Sequence, residues 1–197
     1  MADRFYLNLW FPSFAEEEMM PRTLSVLEQF PYSAVRPGVG YVAVRAVNWS
    51  EPLITQETFR TGATPEVAIA LALDFLHDDN AYEFEACWDL WIPGEETETW
   101  SLQPSPVRLV VHGTGFEDGL YEEAGHIQAD FGPDTPFLYE ELDLTPAAEE
   151  RVRVNVQTLV GFTSAVEKHC GISGRLLWSE SEESLAQKLI ARLQKVH

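Results

Sequence analysis

The stretch AYEFEACWDLWI, residues 81–92, alternates between two kinds of side chain. Tyr82, Phe84, Ala86, Trp88, Leu90 and Ile92 share one parity, and Glu83, Glu85, Cys87, Asp89 and Trp91 share the other. Successive side chains of a strand point to opposite faces. A period of two therefore predicts a long strand with one buried face and one acidic, partly aromatic face. What meets that second face is the functional question.

Working upstream, Phe5, Leu7, Leu9 and Phe11 alternate with Tyr6, Asn8 and Trp10, which predicts a first strand. Ser13 followed by Glu16 fits a capping box and starts a helix. Pro21 removes one of its backbone bonds, so a break or restart is expected there. Leu24, Leu27 and Phe30 fall on the buried side. VGYVAVRAV (39–47) and PLITQETF (52–59) read as two strands, with Val42, Val44 and Ala46 on one face of the first. Thr64 and Pro65 supply an N-cap and a first helical residue, ahead of Val67, Ala68, Leu71, Ala72 and Phe75 at helical spacing.

The order strand, helix, strand, strand, helix, strand over residues 3–92 is that of two split βαβ units, which predicts a ferredoxin-like half spanning 1–93. In that topology the first and fourth strands are neighbours. Tyr6, Asn8 and Trp10 would then lie beside Glu83, Glu85, Cys87, Asp89 and Trp91, on the side away from the helices. Bare tryptophans and buried, unpaired carboxylates are both costly, so this face is expected to be half-exposed.

Residues 94–197 read as a second α+β half, with order strand, strand, helix, strand, helix. PVRLVVHG (106–113) and HIQADFG (126–132) are expected to pair through the acidic loop GTGFEDGLYEEAG. Thr145 and Pro146 open a long helix closed by Gly171, with Val152, Val156, Leu159, Val160, Val166 and Cys170 near one stripe. RLLWS (175–179) follows as a short strand. A last helix from about Ser181 buries Leu185, Leu189, Leu193 and Val196. The expected class is α+β with a largely antiparallel sheet, the second half joining the first in the same or an adjoining sheet.

The chain has 197 residues and a formal charge of −19. Residues 145–197 hold six acids and seven bases, whereas 78–143 hold 17 acids and a single base, Arg108. Such a field repels phosphate backbones and disfavours direct nucleic-acid binding. It suits solubility, or steering toward a basic partner. No apolar run spans a bilayer, MADRFYLNLW reads as a strand rather than a leader, and Cys87 and Cys170 form no disulfide framework. A cytoplasmic protein without membrane association is expected.

No catalytic constellation is recognisable. Acids at i and i+2 of one strand do not flank a scissile bond as glycosidase carboxylates do. His126 and Asp130, if on a strand, lie about 13 Å apart and cannot share an ion. Cys87 sits between Glu85 and Asp89, and Cys170 at a helix C-terminus, both unfavourable to thiolate. GTG at 113–115 opens no helix, and Glu117 and Asp118 would repel a pyrophosphate. No metal and no cofactor are expected, and enzymatic activity is disfavoured.

The sequence is best read as a bacterial-type cytoplasmic interaction or inhibitory module, immunity-like in that acids face a basic protein partner, and either monomeric or homodimeric. The alternative is a binding module for a cationic or sugar-like small molecule on an aromatic and acidic sheet face. For both, the candidate residues are Tyr6, Asn8, Trp10, Glu83, Glu85, Asp89 and Trp91.

Overall fold

A computed structural model describes residues 3–94, 99–139, 144–180 and 185–194. Strands β1 (Arg4–Trp10), β2 (Val39–Ala46), β3 (Leu53–Ala63), β4 (Asn80–Pro93), β5 (Trp100–His112), β6 (Ile127–Pro133) and β7 (Gly174–Ser179) form one sheet of order β3-β2-β4-β5-β6-β1-β7. Every pairing is antiparallel. Helices α1 (Glu16–Gln29), α2 (Pro65–Leu73), α5 (Pro146–His169) and α6 (Leu185–Gln194) bury their apolar stripes in one core, and α3 (Tyr121–Ala124) and α4 (Thr135–Leu138) are single turns. The class is α+β, and strands from both halves of the chain share the sheet. Among the described residues, no helix is long and apolar enough to cross a membrane.

The ferredoxin-like strand order is not present. In that order β1 lies against β4; here β5 and β6 stand between them. The physical reason is locality. β4 and β5 are close in sequence and pair residue for residue from Ala81↔His112 to Pro93↔Trp100. Closing that short loop costs less chain entropy than bringing β4 back to β1. A split βαβ unit does survive in β3-α2-β4, which straddles β2, and another forms from β6-α5-β7, which straddles β1.

The sheet's two faces are written in its registers. One transverse row runs Val42, Phe84, Leu109, Ala129, Leu7 and Leu177, and it faces the helices. The next runs Thr58, Tyr41, Glu85, Arg108, Asp130, Tyr6 and Trp178, on the opposite face. The period of two in residues 81–92 is thus realised: Tyr82, Phe84, Ala86, Trp88 and Leu90 are all buried in the core.

Local expectations meet mixed outcomes. Helix α1 runs unbroken through Pro21. The lost bond to the Glu17 carbonyl and the ring clash cost about 3 kcal/mol. Burial of Met19, Met20, Val26 and Leu27 outweighs that at about 1.5–3 kcal/mol per side chain. Its N-cap is Ala15, two residues past Ser13; Glu18 accepts from the Ala15 amide, and Ser13 donates to Glu18. Thr145 caps α5 by accepting from the Ala148 amide, and Gly171 takes a left-handed φ of 63° just past its end. Val67 and Val160 are exposed rather than buried, while Ile69 and Phe162 take core positions. Ala46 is only half-buried. Leu185 and Leu189 are buried as expected, whereas Ser181 and Val196 lie outside the described residues.

Candidate functional site

Among the described residues no helix covers the centre of the second face, and its seven sequence-chosen candidates are dispersed along it. Tyr6 and Trp10 stand three strands from Glu85 and Trp91, roughly 14 Å at ordinary strand spacing. No single aromatic groove forms from them. Tyr6 stacks on Trp178 with centroids 4.7 Å apart. Burial, with Asp130 and Glu180 adding, pushes its phenol pKa up. Asn8 is buried, donating to the Glu123 carbonyl and accepting from Gln128. Trp10 donates its indole N–H to the Tyr121 carbonyl at 3.0 Å. The β5–β6 connection therefore folds back over this end of the face.

At the centre, Arg108 of β5 joins two carboxylates from the strands on either side of it, Glu83 of β4 and Asp130 of β6. It donates to Glu83 at 3.1 Å and lies 3.6 Å from Asp130, which Arg4 meets at 2.5 Å. Asp130 is 4% exposed, but Arg4 and Arg108 are each 48% exposed, so the cluster stays in touch with water. Glu85 is exposed beside it. The acids of this face have basic neighbours: Arg4, Arg45 and Arg108 share it with Glu83, Glu85, Asp89 and Asp130.

Beyond β2 the β4–β5 pair continues as an arm, and Pro104 and Pro106 fit there because β5 has lost its β6 neighbour. Asp89 accepts from the Ala34 amide. Asn155 of α5 stands in for a missing strand, accepting from the Trp91 amide at 2.8 Å and donating to its carbonyl at 2.9 Å. Arg151 lies over the Trp91 ring at 5.3 Å. Both thiols are raised in pKa, chiefly by burial; at Cys87, Glu85 and Asp89 add to that while Arg36 opposes it.

Among the described residues, acids also gather at a corner where residues 47–51, 77–79 and 113–118 meet. The Val47 amide donates to the Asp79 carbonyl, the Glu117 amide to the Val47 carbonyl, and the Trp49 amide to the Glu117 carboxylate. Beneath them Phe116 and His112 are buried, with Trp49 edge-on to Phe116 at 5.0 Å. Trp49 is nonetheless 39% exposed and Val47 52% exposed. Val47, Glu117 and Asp118 hold φ of 64°, 48° and 54°, left-handed values that cost about 1–3 kcal/mol each for side-chain-bearing residues. Around this apolar tip stand Glu51, Asp78, Asp79, Glu117 and Asp118, with Arg45 over the Trp49 ring at 5.8 Å. Nearby, Glu16, His77 and Asp78 bring ligand-type atoms within 4.8 Å of one another, all of them exposed.

The sequence marked the acidic loop but not this meeting of three connections. The signal available was composition alone, with Trp49 lying in a segment read as a bend. His126 and Asp130, weighed as metal ligands, are held apart: His126 accepts from the Phe11 amide at its Nδ1, while Asp130 serves the two arginines. Comparison with family models, curated proteins and solved structures gives no match to this chain.

Proposed function

We propose that this protein is a binding module for a basic protein partner, inhibitory in the manner of an immunity protein, and that it engages that partner at the acidic corner. The observation that carries this is the exposed Trp49–Val47 tip with Glu51, Asp78, Asp79, Glu117 and Asp118 beside it. An apolar anchor inside a predominantly acidic rim, with Arg45 its one close base, is suited to an interface: the rim steers and selects, and the aromatic anchor supplies affinity. A nuclease is one class of partner whose positive substrate channel such a rim would occupy. The hydrogen bonds from the Val47, Trp49 and Glu117 amides hold the tip in one shape despite its left-handed backbone, which lowers the ordering cost of binding.

The test uses affinity purification from the native host with the wild-type chain and with a Glu51→Lys, Asp78→Lys, Asp118→Asn variant, followed by reconstitution of the purified pair. A stoichiometric basic protein, bound less tightly as salt rises and lost by the variant, is the expected result. Binding indifferent to both salt and the variant, or no partner at all, sinks the proposal.

A further inference from the structure

A groove at the other end of the second face has the opposite character. It measures about 540 Å³, within the range of small-molecule sites, and is lined by Arg36, Arg60, Tyr41, Thr58, Glu85 and Cys87 among others. Its walls are fixed by a close backbone crossing. A Cβ on Gly62 would stand 1.8 Å from the Pro37 carbonyl oxygen, and one on Gly38 would stand 2.3 Å from that of Ala63. Neither position tolerates a side chain. Arg36 precedes Pro37 and Arg60 precedes Gly62 by two residues, so both guanidiniums rise from segments in contact.

Their lack of acidic partners is the informative feature. In residues 1–144, Arg22 pairs with Glu18, Arg4 and Arg108 close on Asp130, and Arg45 donates to the Glu51 carbonyl and covers Trp49. Among the described residues, Arg36 and Arg60 meet no carboxylate, although that part of the chain holds 26 acids against six bases. Arg36 lies instead against the Cys87 sulfur. Two arginine forks facing one concave site match the planar, multidentate geometry of an oxyanion. Thr58 and Thr61 add hydroxyls to the same lining. Glu85, the one acid in the groove, sets a limit on charge and offers an acceptor for a ligand hydroxyl or amine.

We infer that this groove binds the phosphate or carboxylate group of a small molecule, held between Arg36 and Arg60. The site is independent of the acidic corner, and its failure leaves the partner proposal standing. It is tested by following the arginine side-chain Nε–Hε resonances of the intact protein during titration with inorganic phosphate and, separately, with citrate. Sodium chloride at matched ionic strength is the control. Saturable shifts at Arg36 and Arg60 with either oxyanion, weakened about tenfold or more in Arg36→Gln and in Arg60→Gln, are expected. The oxyanion that saturates identifies the ligand group. Both side chains are exposed, so neither variant threatens the fold. Linear shifts that chloride reproduces, or saturation that both variants retain, overturn the inference.

Discussion

Phe84 and Glu85 are neighbours in β4 and meet opposite surroundings. Phe84 sits in a row of apolar side chains beneath the helices; Glu85 sits in a row of Tyr41, Arg108, Asp130 and Tyr6 with no helix above it. The first face gains stability in proportion to the apolar area it removes from water. The second gains little from its open centre, and residues 113–126 fold back across Asn8, Trp10 and His112 at one end of it. Stability is therefore carried by one face, while the other face and its rim are free to be shaped by binding.

The sharpest way to break this contrast is Trp88→Ala. Trp88 is fully buried, stacked on Phe131 at 5.0 Å and on Phe30 at 5.8 Å. Its removal is expected to cost about 3–5 kcal/mol in urea unfolding. A loss below about 1 kcal/mol would contradict the single core.

The covered end of the second face is probed by pH. Burial, and secondarily His112, holds His126 at about 4. Between that value and an unfolded value of about 6.5, the unfolded chain takes up a proton that the folded chain refuses. Stability contributed by His126 is thus present above that window and lost as pH falls through it, by up to about 3 kcal/mol. His112, also lowered by burial, acts in the same direction. His126→Asn keeps an acceptor for the Phe11 amide and is expected to flatten the acid-side slope. Unchanged slopes in wild type and variant would place His126 in water.

Asp130→Ala removes a buried carboxylate, but its arginine partners rehydrate readily. About 2 kcal/mol is expected rather than the larger cost of orphaning a buried charge. The smallest effect belongs to Glu85→Ala, within about 0.5 kcal/mol by thermal unfolding. A cost comparable with that of Trp88 would show that the open row carries the fold after all.

Much of this architecture was legible because it is local. The period of two in residues 81–92, the Thr145–Pro146 start of α5 and its Gly171 end are each set by a few adjacent residues. Pro21 misled because tertiary burial outweighed a local penalty. Strand order was not legible, since alternating apolar residues in β1 fit against β4 or β6 equally well; the short β4–β5 connection decided it. The candidate sites depend on that order. Glu83 and Glu85 looked like a bare acidic stripe until Arg108 arrived on β5, and Arg36 and Arg60 carried no pattern until the crossing of Pro37 with Gly62 brought their segments together.

The most direct measurement is amide hydrogen exchange of the reconstituted complex with its basic partner, set against the free protein. New protection confined to residues 47–51, 77–79 and 113–118 is predicted, with exchange in β1 and in the β4 core unchanged. Protection centred on the open row of Tyr41, Glu85 and Arg108, or on the helix-covered side, with the corner unaltered, would contradict the account.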